Sequence, residues 1–171
     1  MENAMSANQR VCVLIDDANI FITANKLKVK VDYGKVIERL NTRQIIRAIM
    51  YYVEIDPSSE FGFVKQMRKL GIEPKSKKLK TYADGKTKGD MDVDIAVGAI
   101  SLANKCDVIT IVSCDSDFVV LLQYLKGLGV KAEAMGFEPY ANVLKRAADE
   151  FYPITKDMLF KPNHDPDSDP S

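Results

Sequence analysis

Asp16, Asp92, Asp115 and Asp117 are the residues whose types and spacing could do chemistry. Asp16, followed by Asp17, closes the apolar run VCVLID that starts at Val11, and Asp115 and Asp117 follow the run VITIVS that ends at Ser113. Both runs are too short for a typical helix and read as buried parallel strands. In an open parallel sheet, ligands collect outside the carboxyl ends of the strands where strand order reverses. If these two strands are neighbours, about 4.8 Å apart, their terminal carboxylates converge. Asp92 precedes Ile95, Ala96, Ala99, Ile100 and Ala103 at helical spacing, so it heads the core-facing stripe of a helix, with Asp90 and Asp94 rotated away. Asp90 reads as the N-cap of that helix.

Two carboxylates about 4 Å apart repel by about 4 kcal/mol at an effective dielectric near 20, so a crevice holding several of them calls for a neutralising cation. All-oxygen donors select Mg²⁺ or Mn²⁺, ions that commonly bridge to substrate phosphates. The sole histidine, His164, sits in the terminal stretch HDPDSDPS. Nucleolysis by a core histidine is thereby excluded, and metal-activated water is the expected nucleophile. Asp16 and Asp115 are expected as the principal ligands, with Asp92 and Asp117 positioning coordinated waters.

Each of these aspartates taken singly could be a helix cap; the capping explanation weakens for the set. Asn19 caps the helix after the first strand or orients Asp16 or substrate. Ser113 and Ser116 read as strand-end residues, and Cys114 as a small apolar filler. Between Lys65 and Lys88 there are nine basic residues and two acidic ones, Glu73 and Asp84. Lys75, Lys77, Lys78, Lys80, Lys86 and Lys88 are either a solvated surface or the cationic rim that an acidic crevice needs to hold a polyanion. If the segment is extended, Lys78 and Lys80 share a face, with Lys88 close to the crevice.

The rest of the chain must position these groups. A helix over Asp32–Leu40, a strand over Gln44–Ile55, a helix from Pro57 to Gly71, a polar strand or loop over Lys77–Tyr82 and a turn at Asp84-Gly85 come first. A helix beginning near Asp90, the strand ending at Ser113, and a helix from Asp117 with Phe118, Leu121, Leu122 and Leu125 on one face come next. Weaker strands over Val130–Met135 and Phe151–Ile154 flank a helix between Tyr140 and Ala148. This alternation implies a single-domain α/β fold, a Rossmann-like parallel sheet with helices on both faces. The expected limits are a flexible N-terminus over 1–9, the domain over 10–160, and a disordered acidic tail over 161–171.

With 171 residues, 46% hydrophobic, the chain can fill one core. Cys12, Cys106 and Cys114 lack zinc-knuckle or redox spacing and read as reduced core residues. No apolar stretch suits a membrane span or signal peptide, which points to a cytoplasmic protein. Neither GxGxxG nor GxxxxGK[ST] occurs.

The segments LIDDANI (Leu14 to Ile20), KGDMDVDIAV (Lys88 to Val97) and IVSCDSDFVVLLQYLKGLGVKAEAMGF (Ile111 to Phe137) resemble the LabA-like NYN-domain proteins of the PIN-like nuclease superfamily. The resemblance implies a Rossmann-like PIN fold, metal binding by Asp16, Asp92, Asp115 and Asp117, and action on RNA; with the donor chemistry above, a Mg²⁺- or Mn²⁺-dependent ribonuclease acting on single-stranded RNA is the expectation. Asn19, Lys78, Lys80 and Lys88 are the expected substrate contacts, and a second copy of the chain is a candidate partner. Two positions depart from the family pattern. Asp17 stands where glycine is usual, adding charge near the site or pointing away from it. Gly98 stands where many members carry a further acid, a loss that would weaken a second metal site. The alternative function is a regulatory module that binds RNA with little or no cleavage.

Overall fold

From Val11 to Ile15 the first strand, β1 (Arg10–Asp16), is completely buried, with Val11, Val13 and Ile15 on one face and Cys12 and Leu14 on the other. A strand apolar on both faces needs a parallel neighbour on each side and helices above and below. The computed structural model, which describes residues 8–85, 90–161 and the backbone of 87–88, supplies both. Residues 1–7, Lys86, the side chain of Lys88, and the tail with His164 lie outside the described residues.

After β1 come helices α1 (Asp17–Lys26) and α2 (Tyr33–Leu40), strand β2 (Gln44–Glu54), helix α3 (Pro57–Lys69) and strand β3 (Ile72–Lys78). A small antiparallel hairpin of β4 (Lys80–Thr81) and β5 (Thr87–Lys88) leads to helix α4 (Asp92–Leu102) and strand β6 (Val108–Val112). A 3-10 turn (Ser116–Phe118) opens directly into α5 (Val119–Gly127), followed by β7 (Lys131–Gly136), α6 (Asn142–Ala147) and β8 (Glu150–Pro153). The main sheet has the order β3-β2-β1-β6-β7-β8, and every neighbouring pair is parallel. The chain builds outward from β1 through β2 to β3, then resumes at β6 on the other side of β1. The reversal falls between β1 and β6, the two strands expected to be adjacent.

Ile20 of α1, Val36 and Leu40 of α2, and Met67 of α3 pack on one face of the sheet; Ile95 and Ala99 of α4, Leu121, Leu122 and Leu125 of α5, and Leu144 of α6 pack on the other. With both faces filled, a one-residue slip of β1 would send every side chain to the wrong core, so the position of Asp16 is firmly set. The sheet also buries one ion pair, Arg43 to Glu133 at 2.7 and 2.8 Å, with the Thr110 hydroxyl donating to Glu133 at 3.1 Å. Among the described residues no helix is long and apolar enough to cross a membrane.

The structure departs from the sequence expectations at three points. The pattern does not announce the strand Ile72–Lys78, which pairs with β2, whereas the polar segment Lys77–Tyr82 does contain β4; Pro74 and the run of lysines disguise β3, and the proline is tolerated because β3 is an edge strand. Helix α4 starts at Asp92 with Met91 at the N-cap position and no side-chain cap, so Asp90 does not cap it. Lys78 ends β3 and Lys80 begins β4, so the two belong to different sheets and do not share a strand face.

Candidate metal centre

Three helical starts meet at the carboxyl ends of β1 and β6, and each brings an acid. Asp16 ends β1 and caps α1, its Oδ1 accepting from the Asn19 N–H at 3.3 Å. Asp92 is the first residue of α4. Asp115 caps the 3-10 turn, its Oδ1 accepting from the Asp117 N–H at 2.9 Å. The positive ends of the peptide dipoles offset part of this negative charge. Carboxylate oxygens of Asp92, Asp115 and Asp117 lie within 4.8 Å of one another, a spacing one cation could span. Asp16 stands outside that group but close enough for the charges of Asp92 and Asp115 to act on it.

Two hydrogen bonds join the strand ends beneath this group. The Ser113 hydroxyl donates to Asp16 Oδ2 at 2.9 Å and accepts from the Asp115 N–H at 3.1 Å. Asn19 Oδ1 accepts from the Cys114 N–H at 2.8 Å. Asn19 therefore ties α1 to the segment that follows β6 rather than capping α1. Cys114 is half-buried, its Sγ accepting from the Phe137 N–H at 3.3 Å.

Burial pushes the Asp16 carboxyl up to about 6, with the hydrogen bonds from Ser113 and Asn19 opposing the shift and the charges of Asp92 and Asp115 adding to it. Asp92 is also raised, by burial first and then by Asp115, Asp90 and Asp117. Asp17 points elsewhere: it accepts from the Tyr33 hydroxyl of α2 at 2.8 Å, and burial lifts it to about 6. Asp94 is engaged by Lys77 at 3.0 Å, and Asp90 is exposed. Both stand apart from the carboxylate group, although the charge of Asp90 reaches Asp92.

The lysine segment lies at the same end of the sheet. Asp16 pairs with Tyr51 of β2, Tyr51 pairs with Lys75 of β3, and β3 continues beyond this level to Lys78. Lys77 ties this edge to α4 through Asp94, and the hairpin sets Lys80 and Lys88 at paired positions just before α4. Sequence pattern alone ranks Ser113 low and does not single out Tyr33 or Tyr51 for the site. Ser113 is marked by its place between a strand and an aspartate, but the tyrosines meet their partners across 16 and 47 residues and no local pattern announces them.

Tyr51 also accounts for Gly98. The Tyr51 ring is buried against α4, and a Cβ added at Gly98 would stand 2.1 Å from its hydroxyl. A carboxylate cannot occupy that position while Tyr51 holds the space.

A comparison with curated proteins finds no match. Among solved structures, the chain is similar to a protein of unknown function from Vibrio parahaemolyticus, VPA0982, at 26% identity and a TM-score of 0.83, over 94% of this chain and 100% of the other. The family model of the NYN domain matches residues 10–155. Because that match runs from the first residue of β1 to just past the end of β8, through every element that positions the acidic group, the chain belongs to the NYN domain family.

Proposed function

We propose that this protein is a divalent-metal-dependent ribonuclease of the LabA-like branch of NYN proteins, within the PIN-like nuclease superfamily, hydrolysing RNA phosphodiester bonds at its aspartate group. The observation that carries the reading is the approach of Asp92, Asp115 and Asp117 oxygens to within 4.8 Å at the strand-order reversal. An all-carboxylate donor set fits Mg²⁺ or Mn²⁺ better than zinc. Asp92, Asp115 and Asp117 would hold the ion, with Asp16 completing the set from the floor of the crevice. When bound, the ion supplies charge neutralisation at the phosphate and activation of water. Ser113 orients Asp16, and Asn19 holds α1 to the segment that follows β6 while facing substrate. Lys78, Lys80 and Lys88 anchor flanking phosphates of a single RNA strand. A cytoplasmic setting and association into a homodimer belong to the same proposal.

The test is a Mg²⁺ and Mn²⁺ titration of cleavage of mixed single-stranded RNA, comparing the wild type with Asp115→Asn. Cleavage that needs the ion and disappears in the variant is expected; metal-independent cleavage, or an Asp115→Asn protein as active as wild type, refutes the site. Changing Lys78, Lys80 and Lys88 together to Ala should weaken RNA binding and lower the salt slope by about 0.7 for each phosphate that is no longer neutralised.

A second reading, an RNA-binding regulator with weak or absent cleavage, is favoured by Gly98. The Tyr51 hydroxyl fills the space where a further acid would stand, which limits the site to fewer metal ligands. RNA binding without cleavage at any Mn²⁺ concentration would select it.

A further inference from the structure

Helices α4 and α5 lie side by side on one face of the sheet, and each carries large apolar residues on its outer surface as well as its inner one. Val93, Val97 and Ile100 of α4 are 71%, 62% and 42% exposed, and Val120 and Tyr124 of α5 are 72% and 53% exposed. Val93, Ile100, Val120 and Tyr124 line an open cleft of about 310 Å³ between the helices, with Asp92 and Asp117 at the N-terminal end, and Val97 is exposed on the same helix as Val93 and Ile100. The spacings i, i+4, i+7 on one helix and i, i+4 on the other make two continuous stripes. A helix that is apolar all round is ordinarily covered on every side.

Charge identifies the cover. In a chain with 28% charged residues, none occurs from Ile95 to Asn104 or from Phe118 to Leu125. A surface without cations does not attract a polyanion, so RNA is a poor occupant of the stripe itself. Depletion of charge around aliphatic and aromatic side chains is the composition of a protein interface core. The terminal segment HDPDSDPS has no aliphatic or aromatic side chain with which to cover it. The acids and bases flanking the stripe are themselves complementary. Both helices begin at the acidic end, Asp92 and Asp117; α4 finishes near the exposed Lys105, while Lys126 at the end of α5 is paired with Asp149 at 3.7 Å.

We propose that the α4–α5 face is the isologous interface of a homodimer, in which two copies pack these helices antiparallel about a two-fold axis. A neutral apolar stripe is self-complementary, and a two-fold axis across it brings the Lys105 end of each copy to the acidic end of the other. This gives the homodimer of the proposed function a surface, and it holds whether or not the crevice cleaves RNA. The pairing also sets two acidic crevices at opposite ends of one interface, each next to Lys105 of the other copy.

The test is sedimentation equilibrium without metal or RNA, over a concentration series, for the wild type and for Val97→Glu with Val120→Glu. The wild type should dissociate reversibly from dimer to monomer, and the double variant should raise the dissociation constant about tenfold or more. Lys105→Glu should weaken the dimer and make it less sensitive to salt. Because the substituted valines are exposed in the monomer, the circular dichroism spectrum should stay that of the wild type. A melting temperature of the wild type that rises with concentration supplies a readout that needs no variant. A wild type monomeric throughout, or a double variant that dimerises as well as wild type, overturns the proposal. Wild-type dimerisation accompanied by loss of RNA binding would instead assign the cleft to RNA.

Discussion

Ser113 serves both strand ends with one hydroxyl, donating to Asp16 and accepting from the Asp115 N–H, so its loss loosens two acid-bearing segments together. Its hydrogen bond is also the largest influence opposing burial at Asp16. Ser113→Ala should raise the Asp16 pKa above its value of about 6, so that more of the carboxyl is protonated near neutrality. Mn²⁺ affinity measured by calorimetry should therefore fall several-fold at pH 6 and recover toward wild type as the pH rises. An affinity loss that is the same at every pH would mean that Ser113 acts only on geometry. This role is barely legible in sequence, because a serine between a strand and an aspartate has many ordinary explanations. The aspartates are legible because each follows or heads an apolar run whose direction fixes where its end must lie. Asp90 misleads for a related reason: a residue type favoured at the N-cap, one position before the residue that occupies it.

At the scale of elements, apolar patterning is enough for β1, β6 and the helices that cover them, since burial on both faces leaves a continuous signal. It is not enough for β3, whose residues Lys75, Lys77 and Lys78 leave no apolar alternation to mark a strand. The fit of β2 against α4 is beyond any local pattern. The Tyr51 hydroxyl is buried and finds no hydrogen-bond partner among the described residues, and it stands where a Gly98 side chain would begin. Tyr51→Phe should accordingly leave stability unchanged or slightly raised, since the removed hydroxyl makes no bond to lose. Gly98→Ala should cost about 1–3 kcal/mol by overpacking. Combined with Tyr51→Phe, most of that cost should vanish, although the ring carbon at 3.3 Å leaves some crowding. Chemical denaturation of the four proteins completes a double-mutant cycle, and additive costs would show that the two residues do not compete for the same space.

For the molecule as a whole, the buried acids make stability depend on pH in the direction opposite to that of a salt-bridged carboxylate. Asp16 and Asp17 are both raised from 3.8 to about 6, so the folded chain binds protons more tightly than the unfolded one in that interval. Their contribution is fully present below 3.8 and is lost as the pH rises through about 6. With chelator present, the melting temperature should therefore fall by several degrees between pH 5 and pH 7.5. The two acids differ in what can restore it. A cation bound only by the folded state stabilises by mass action, and it can relieve repulsion around Asp16, Asp92, Asp115 and Asp117. Asp17, turned toward Tyr33, lies outside its reach. Asp17→Asn keeps an oxygen to accept from Tyr33 while removing the charge, so it should shrink the fall with pH and leave the stabilisation by Mn²⁺ intact. Asp115→Asn should do the reverse, abolishing most of the Mn²⁺ effect while the Asp17 part of the pH dependence persists. Should Mn²⁺ stabilise Asp115→Asn as strongly as wild type at pH 7.5, the ion is bound elsewhere and the aspartates serve only as helix caps.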